Sequence, residues 1–140
     1  MLAQRLGWPL IKKADAMELY LRPAADDHQY RLLQESAKAY LQTAGDGRTF
    51  AEILRQGLLR AAEAGPLITL GMGSQIIFRN WPQAIHVRVT ASMDARCRLA
   101  VKTFGLSEEQ AEQMLRTSDR KHRRYVWEVA QADWTDAGLY

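Results

Sequence analysis

The chain has 140 residues and a single cysteine, Cys97, so it can build one domain with a real core but no internal disulfide and no cysteine-based metal cluster. Nearly half of the residues are apolar and a quarter are charged, the ordinary globular range, and no apolar run is long enough to span a membrane. The net charge of +3 is too small to argue for a nucleic-acid partner, and the stretch Met1–Gly7 has no signal-peptide character, so the expected compartment is the cytoplasm, with no membrane partner.

In chain order, residues 2–6 read as part of a helix closing at Gly7, a usual residue just past a helix end. Trp8-Pro9-Leu10-Ile11 reads as a short strand or extended entry. Residues 15–21 have helical spacing and stop at Pro23, and Asp26-Asp27 offers a cap for the next helix. Apolar positions at helical intervals predict a helix from His28 to Thr43. Gly45-Asp46-Gly47 is a turn. Residues 49–64 predict a helix with Phe50, Ile53, Leu54 and Leu58 on its core face, stopped by Gly65-Pro66.

The period then changes. Leu67-Ile68-Thr69-Leu70 suits a buried strand, followed by the tight loop Gly71-Met72-Gly73 and one or two helical turns in 74–79. The alternating, β-branched run 84–89 predicts a second strand, with His86 hydrogen-bonded or on a sheet face. Residues 93–104 are helical. Ser107 and Gln110 form a capping-box signature for a helix that turns Met114 and Leu115 inward. A second helical stretch, or its continuation, covers 119–131, and 132–138 is loop. Strands separated by helices predict one α/β domain with a mostly parallel sheet, rich in helix and poor in strands.

The charge is unevenly spread. Arg116, Arg120, Lys121, Arg123 and Arg124 crowd one stretch, with Asp119 the lone acid among them. Arg116, Arg120, Arg123 and Arg124 share one face if the helix is continuous, and guanidinium groups suit phosphate oxygens. A solvated basic face and a nucleic-acid-binding helix are the other readings of this pattern. His28, His86 and His122 are scattered, which argues against a metal site.

The second half of the chain resembles the cytidylate kinase-like family. The matching features are the strand ending in Gly71-x-Gly73, then Ile76-Ile77-Phe78-Arg79 and Trp81-Pro82. They continue through Ile85-His86-Val87-Arg88-Val89, Gly105-Leu106-Ser107-Glu108-Glu109, Ser118-Asp119-Arg120 and Tyr125 to Asp133-Trp134-x-Asp136 and Tyr140. Over 1–66 the match is thinner and rests on Leu6-Gly7-Trp8-Pro9. The resemblance implies a P-loop NTPase-like three-layer αβα domain that moves phosphate from ATP, with Mg²⁺, to CMP or a similar acceptor. It implies a basic lid at about 116–131, with Arg120 and Arg124 as the preferred catalytic pair. Gly71, Gly73, Arg96, Arg116 and Arg123 are the implied substrate-binding positions.

Several features depart from the family. No Gly-x-x-x-x-Gly-Lys pattern occurs, so no motif here supports ATP, and the first strand and final strand of the family are absent. Met72 stands where the family has an arginine, and Arg98 is one position out of register. The expectation is therefore a chain that is inactive as a kinase on its own, or a non-catalytic nucleotide- or phosphate-binding module. Strands left without a neighbour are also expected to recruit a second copy through their exposed edges. Trp134 is expected to be a packing anchor and Asp136 a cap or turn residue.

Overall fold

A computed structural model describes residues 2–140; Met1, the start of the stretch examined for a signal peptide, lies outside the described residues. Helix α1 (Leu2–Leu6) closes at Gly7, whose φ of +66° is the left-handed value that favours glycine. Strand β1 (Leu10–Ile11) follows and leads into α2 (Lys13–Ala16). This helix runs on through a π turn over Met17–Leu21 into a 3-10 turn over Arg22–Ala24, where Pro23 ends it. Helix α3 (Asp27–Glu35) starts at Asp26, whose carboxylate accepts from the Gln29 amide at 2.7 Å.

The helix expected to reach Thr43 stops at Glu35. Ser36 is extended (φ −124°, ψ 127°), and a 3-10 turn covers Ala37–Leu41. Ala39 and Tyr40 of this turn are both buried in the core. Helix α4 (Phe50–Ala64) forms where the sequence predicts a helix, and it carries a capping box at Thr49. Thr49 accepts from the Glu52 amide, and the Glu52 carboxylate accepts from the Thr49 amide at 2.7 Å. Phe50, Ile53, Leu54 and Leu58 are all buried, and each such side chain contributes roughly 1.5–3 kcal/mol.

Strand β2 (Ile68–Thr69) pairs parallel to β1, with Leu10 opposite Ile68 and Ile11 opposite Thr69. The amide of Ile68 donates to Pro9 at 2.8 Å and that of Leu70 to Ile11 at 3.0 Å. Helices α5 (Ser74–Ile77), α6 (Met93–Phe104) and α7 (Glu108–Ala130) complete the chain, with a 3-10 turn over Ala137–Leu139. The main core gathers Ile11, Met17, Leu21, Leu33, Tyr40, Phe50, Leu58, Met72 and Phe78, so it lies within the first eighty residues. Helices α6 and α7 form a hairpin in which Ala100 and Ala111 are buried but Leu99, Phe104 and Met114 are exposed.

Two further expectations are corrected. Residues 84–89 form no regular element and belong to no sheet, and residues 85–91 make no backbone–backbone hydrogen bond among the described residues. Their alternation is inverted. Ala84, His86 and Arg88 are half-buried, while Ile85, Val87 and Val89 are 88%, 74% and 91% exposed. A strand needs a neighbour to bond with, and β-branched alternation alone does not supply one. His86 is therefore on no sheet face, and it makes no hydrogen bond. Met114 faces solvent rather than inward; Leu115 beside it is half-buried. Among the described residues no helix is long and apolar enough to cross a membrane.

Candidate functional site

The two parallel strands open at their carboxyl ends onto the Gly71–Gly73 loop, the position at which open α/β sheets hold ligands. Gly71, Met72 and Gly73 have φ values of +78°, +62° and +69°. A Cβ at either glycine would meet nothing within 4 Å, so backbone conformation and not space asks for glycine there. Met72 holds the same conformation without that freedom, at a cost of roughly 1–3 kcal/mol. Its carbonyl accepts from the Tyr125 hydroxyl at 3.3 Å, and its side chain is buried in the core. The loop passes into α5 through Ser74, whose hydroxyl donates to the Gly71 carbonyl at 2.6 Å.

Beside the loop lies a cleft of about 310 Å³ between α4, α5 and the last turns of α7. Met72, Gly73 and Ile76 form one side, Thr49, Glu52 and Arg55 another, and Tyr125 and Val129 of α7 the third. Tyr40 packs edge-on against Tyr125, with ring centroids 5.0 Å apart, and so fixes α7 against the core. Burial pushes the phenol of Tyr40 up to about 12 and that of Tyr125 higher still, so both rings stay neutral. Glu52 is committed to the α4 cap, and the Thr49 hydrogen bonds hold its carboxyl below the usual range. Among the described residues Arg55 makes no hydrogen bond or ion pair, and its guanidinium lines this cleft.

The arginines of α7 are placed differently. Helix α7 is continuous, so Arg116, Arg120, Arg123 and Arg124 do share one face, but all four are exposed and none lines the cleft. Arg116 is paired with Glu112 at 2.5 Å, and Arg124 approaches Glu128 at 3.8 Å. Arg120 and Arg123 hold no hydrogen bond, although the Arg123 charge acts on Asp119 and Asp133. Arg96 reaches across from α6 to Asp119 through bonds of 2.6 and 2.9 Å. The structure thus brings Gly73 to the cleft, keeps Gly71 at the base of its loop, and leaves the five arginines outside it.

Three groups had no sequence signal as functional candidates. Arg55 sits on the exposed side of α4 and looked like any solvated helix charge. Lys13, the first residue of α2, lies near Lys121 of α7. Crowding of its amine, and secondarily the Lys121 charge, hold its pKa below the lysine range although much of the side chain meets solvent. Arg88 clamps the C-terminal segment: it donates to the Thr135 carbonyl at 2.8 Å and lies over the rings of Trp134 and Tyr140 at 5.0 and 5.9 Å. Trp134 also meets His122 edge-on at 4.8 Å, so it is the expected anchor. Asp136 accepts from the Gly138 amide at 2.8 Å, the turn role expected of it.

A parallel strand pair opening onto a glycine loop, a capped helix and a long helix with a basic middle are consistent with a kinase-like α/β domain. The family model described as the cytidylate kinase-like family matches residues 1–140, and the chain belongs to that family. A crystal structure of an uncharacterized protein from Eubacterium ventriosum has a similar fold, with a TM-score of 0.76 at 18% identity over 99% of this chain and 74% of that one. At that identity the likeness concerns the fold alone. No curated protein matches the chain.

Proposed function

We propose that this chain binds CMP or a similar nucleoside monophosphate as the acceptor side of a kinase-type site, within a P-loop NTPase-like three-layer domain. The observation that carries this is the placing of Gly73 on one cleft with Arg55 and the end of α7. The acceptor's base would lie against Ile76, Val129 and Met72, and Arg55 would meet its phosphate. Met72 cannot pair with a phosphate, and Arg55 supplies a guanidinium to the same cleft. Arg120 and Arg124 are the proposed lid pair, with Arg116, Arg123 and Arg96 around them. Their solvent-facing position leaves them free to meet phosphate oxygens that extend out of the cleft.

The residues present do not fit the ATP half of such a site: the 140 residues contain no Gly-x-x-x-x-Gly-Lys loop to cradle its phosphates. The 140-residue chain alone is expected to bind the acceptor without phosphorylating it. Calorimetric titration with CMP tests this. Arg55→Ala should weaken binding by about tenfold, one charge-assisted contact, and Arg120→Ala with Arg124→Ala should abolish it. Unchanged binding in both variants would count against the reading, and formation of CDP from ATP and CMP would refute the expected inactivity.

A further inference from the structure

Helix α4 carries a second cleft on its opposite face. The acceptor cleft uses Ala51, Glu52 and Arg55; the other, of about 480 Å³, uses Ile53, Gln56, Gly57 and Arg60. At 100° per residue the two sets point in opposite directions from the helix axis. The far wall is the α2 extension, with Leu19, Tyr20 and Pro23, and the floor is the turn Ala44–Arg48. This cleft is held in shape by close packing. A Cβ on Gly57 would stand 2.5 Å from the Tyr20 ring, so only glycine lets the ring lie on the helix.

Its polar groups are mostly donors. Asp46 is consumed by Arg48, accepting from its amide at 3.1 Å, from its Nε at 2.9 Å and from its terminal nitrogen. The Gln56 carbonyl oxygen accepts from Arg48 at 2.6 Å, which turns the remaining capacity of that amide toward donation. Among the described residues Arg60 has no ion pair or hydrogen bond and the Tyr20 hydroxyl has no partner, and both side chains line the cleft. Leu19, Tyr20 and Pro23 supply an apolar wall next to these donors, and Leu19 is otherwise an exposed large side chain.

We infer that this cleft is a second ligand site, which takes a ring-bearing organic anion: the ring against Leu19, Tyr20 and Pro23, the phosphate or carboxylate on Arg60 and the Gln56 amide. The inference is independent of the acceptor reading, because it uses the other face of α4 and a different arginine. Phosphate esters and carboxylic acids share this chemistry, and the probes separate them.

The test is a ¹⁵N-resolved NMR titration of the whole chain with phenyl phosphate, benzoate, CMP and, as an uncharged control, benzyl alcohol. Shifts at Gly45, Gly57 and Arg60 are expected with at least one anion; phenyl phosphate alone would mark a phosphate-ester site, and benzoate alone a carboxylate site. Arg60→Ala, an exposed substitution whose folding the same spectrum verifies, should weaken that anion by about tenfold. Arg60→Lys should retain part of the affinity, and Arg55→Ala all of it. The inference is overturned if no anion shifts those amides, if benzyl alcohol shifts them equally, or if Arg60→Ala leaves the titration unchanged.

Discussion

The Arg96 guanidinium grips the Asp119 carboxylate with two hydrogen bonds, 2.6 and 2.9 Å long, and so ties the first turn of α6 to the middle of α7. The pair is about one-third exposed, which limits its worth in water. Its role is to fix the angle of the hairpin that carries Arg116, Arg120, Arg123 and Arg124.

Asp119→Asn should cost about 1 kcal/mol at neutral pH, the upper end for a partly exposed bidentate pair. The Arg96 hydrogen bonds hold the Asp119 carboxyl below the usual carboxylate range. Folding therefore favours the ionised form. The stabilisation is complete above the unfolded value of about 3.9 and is lost as pH falls through the lower folded value. Melting of wild type and Asp119→Asn from pH 7 down to 3 should show the gap closing at the acid end. A gap that stays constant would mean that the pair does not act through the carboxylate charge.

The buried phenols give the opposite dependence. Tyr40 is pushed up to about 12 by burial, and Tyr125 rises for the same reason. Both favour the neutral form when folded. Their stabilisation is fully present below the unfolded value of about 10 and is lost as pH rises through the folded values. Alkaline melting should show stability dropping above pH 10 in wild type and less steeply in Tyr40→Phe. Tyr125→Phe should also lose the 3.3 Å bond to Met72, at about 0.5–1 kcal/mol.

Ile85, Val87 and Val89 form an apolar row on a segment with no backbone partner. Such a row promotes association. Light scattering of the 140-residue chain should show concentration-dependent self-association that Val87→Lys removes without lowering the melting temperature. A monomer at every concentration, with a high and cooperative melting transition, would contradict this.

Much of the local structure was legible because its causes are local. The caps at Asp26 and Ser107 each join residues three apart, and the α4 core stripe repeats with the helix itself. The strand expected at 84–89 was misread because strand formation depends on a neighbour that no local pattern reports. The helix ending at Glu35 was misread because Tyr40 is drawn out of the helical path by Tyr125, eighty-five positions on. At the site, the Gly71–Gly73 loop was visible as a glycine pair. The partnering of Arg96 with Asp119, the clamp of Arg88 and the facing of Arg55 into a cleft arise only when α4, α6 and α7 meet.

The central claim is that the cleft between the Gly71–Gly73 loop, α4 and α7 holds a nucleoside monophosphate. Titration of the ¹⁵N-labelled chain with CMP measures it directly. The account predicts saturable shifts at Gly73, Arg55, Ile76 and Val129, reached at about tenfold higher CMP in Arg55→Ala, with no CDP formed when ATP and Mg²⁺ are added. No shift at those four positions, or shifts that Arg55→Ala leaves untouched, would contradict it.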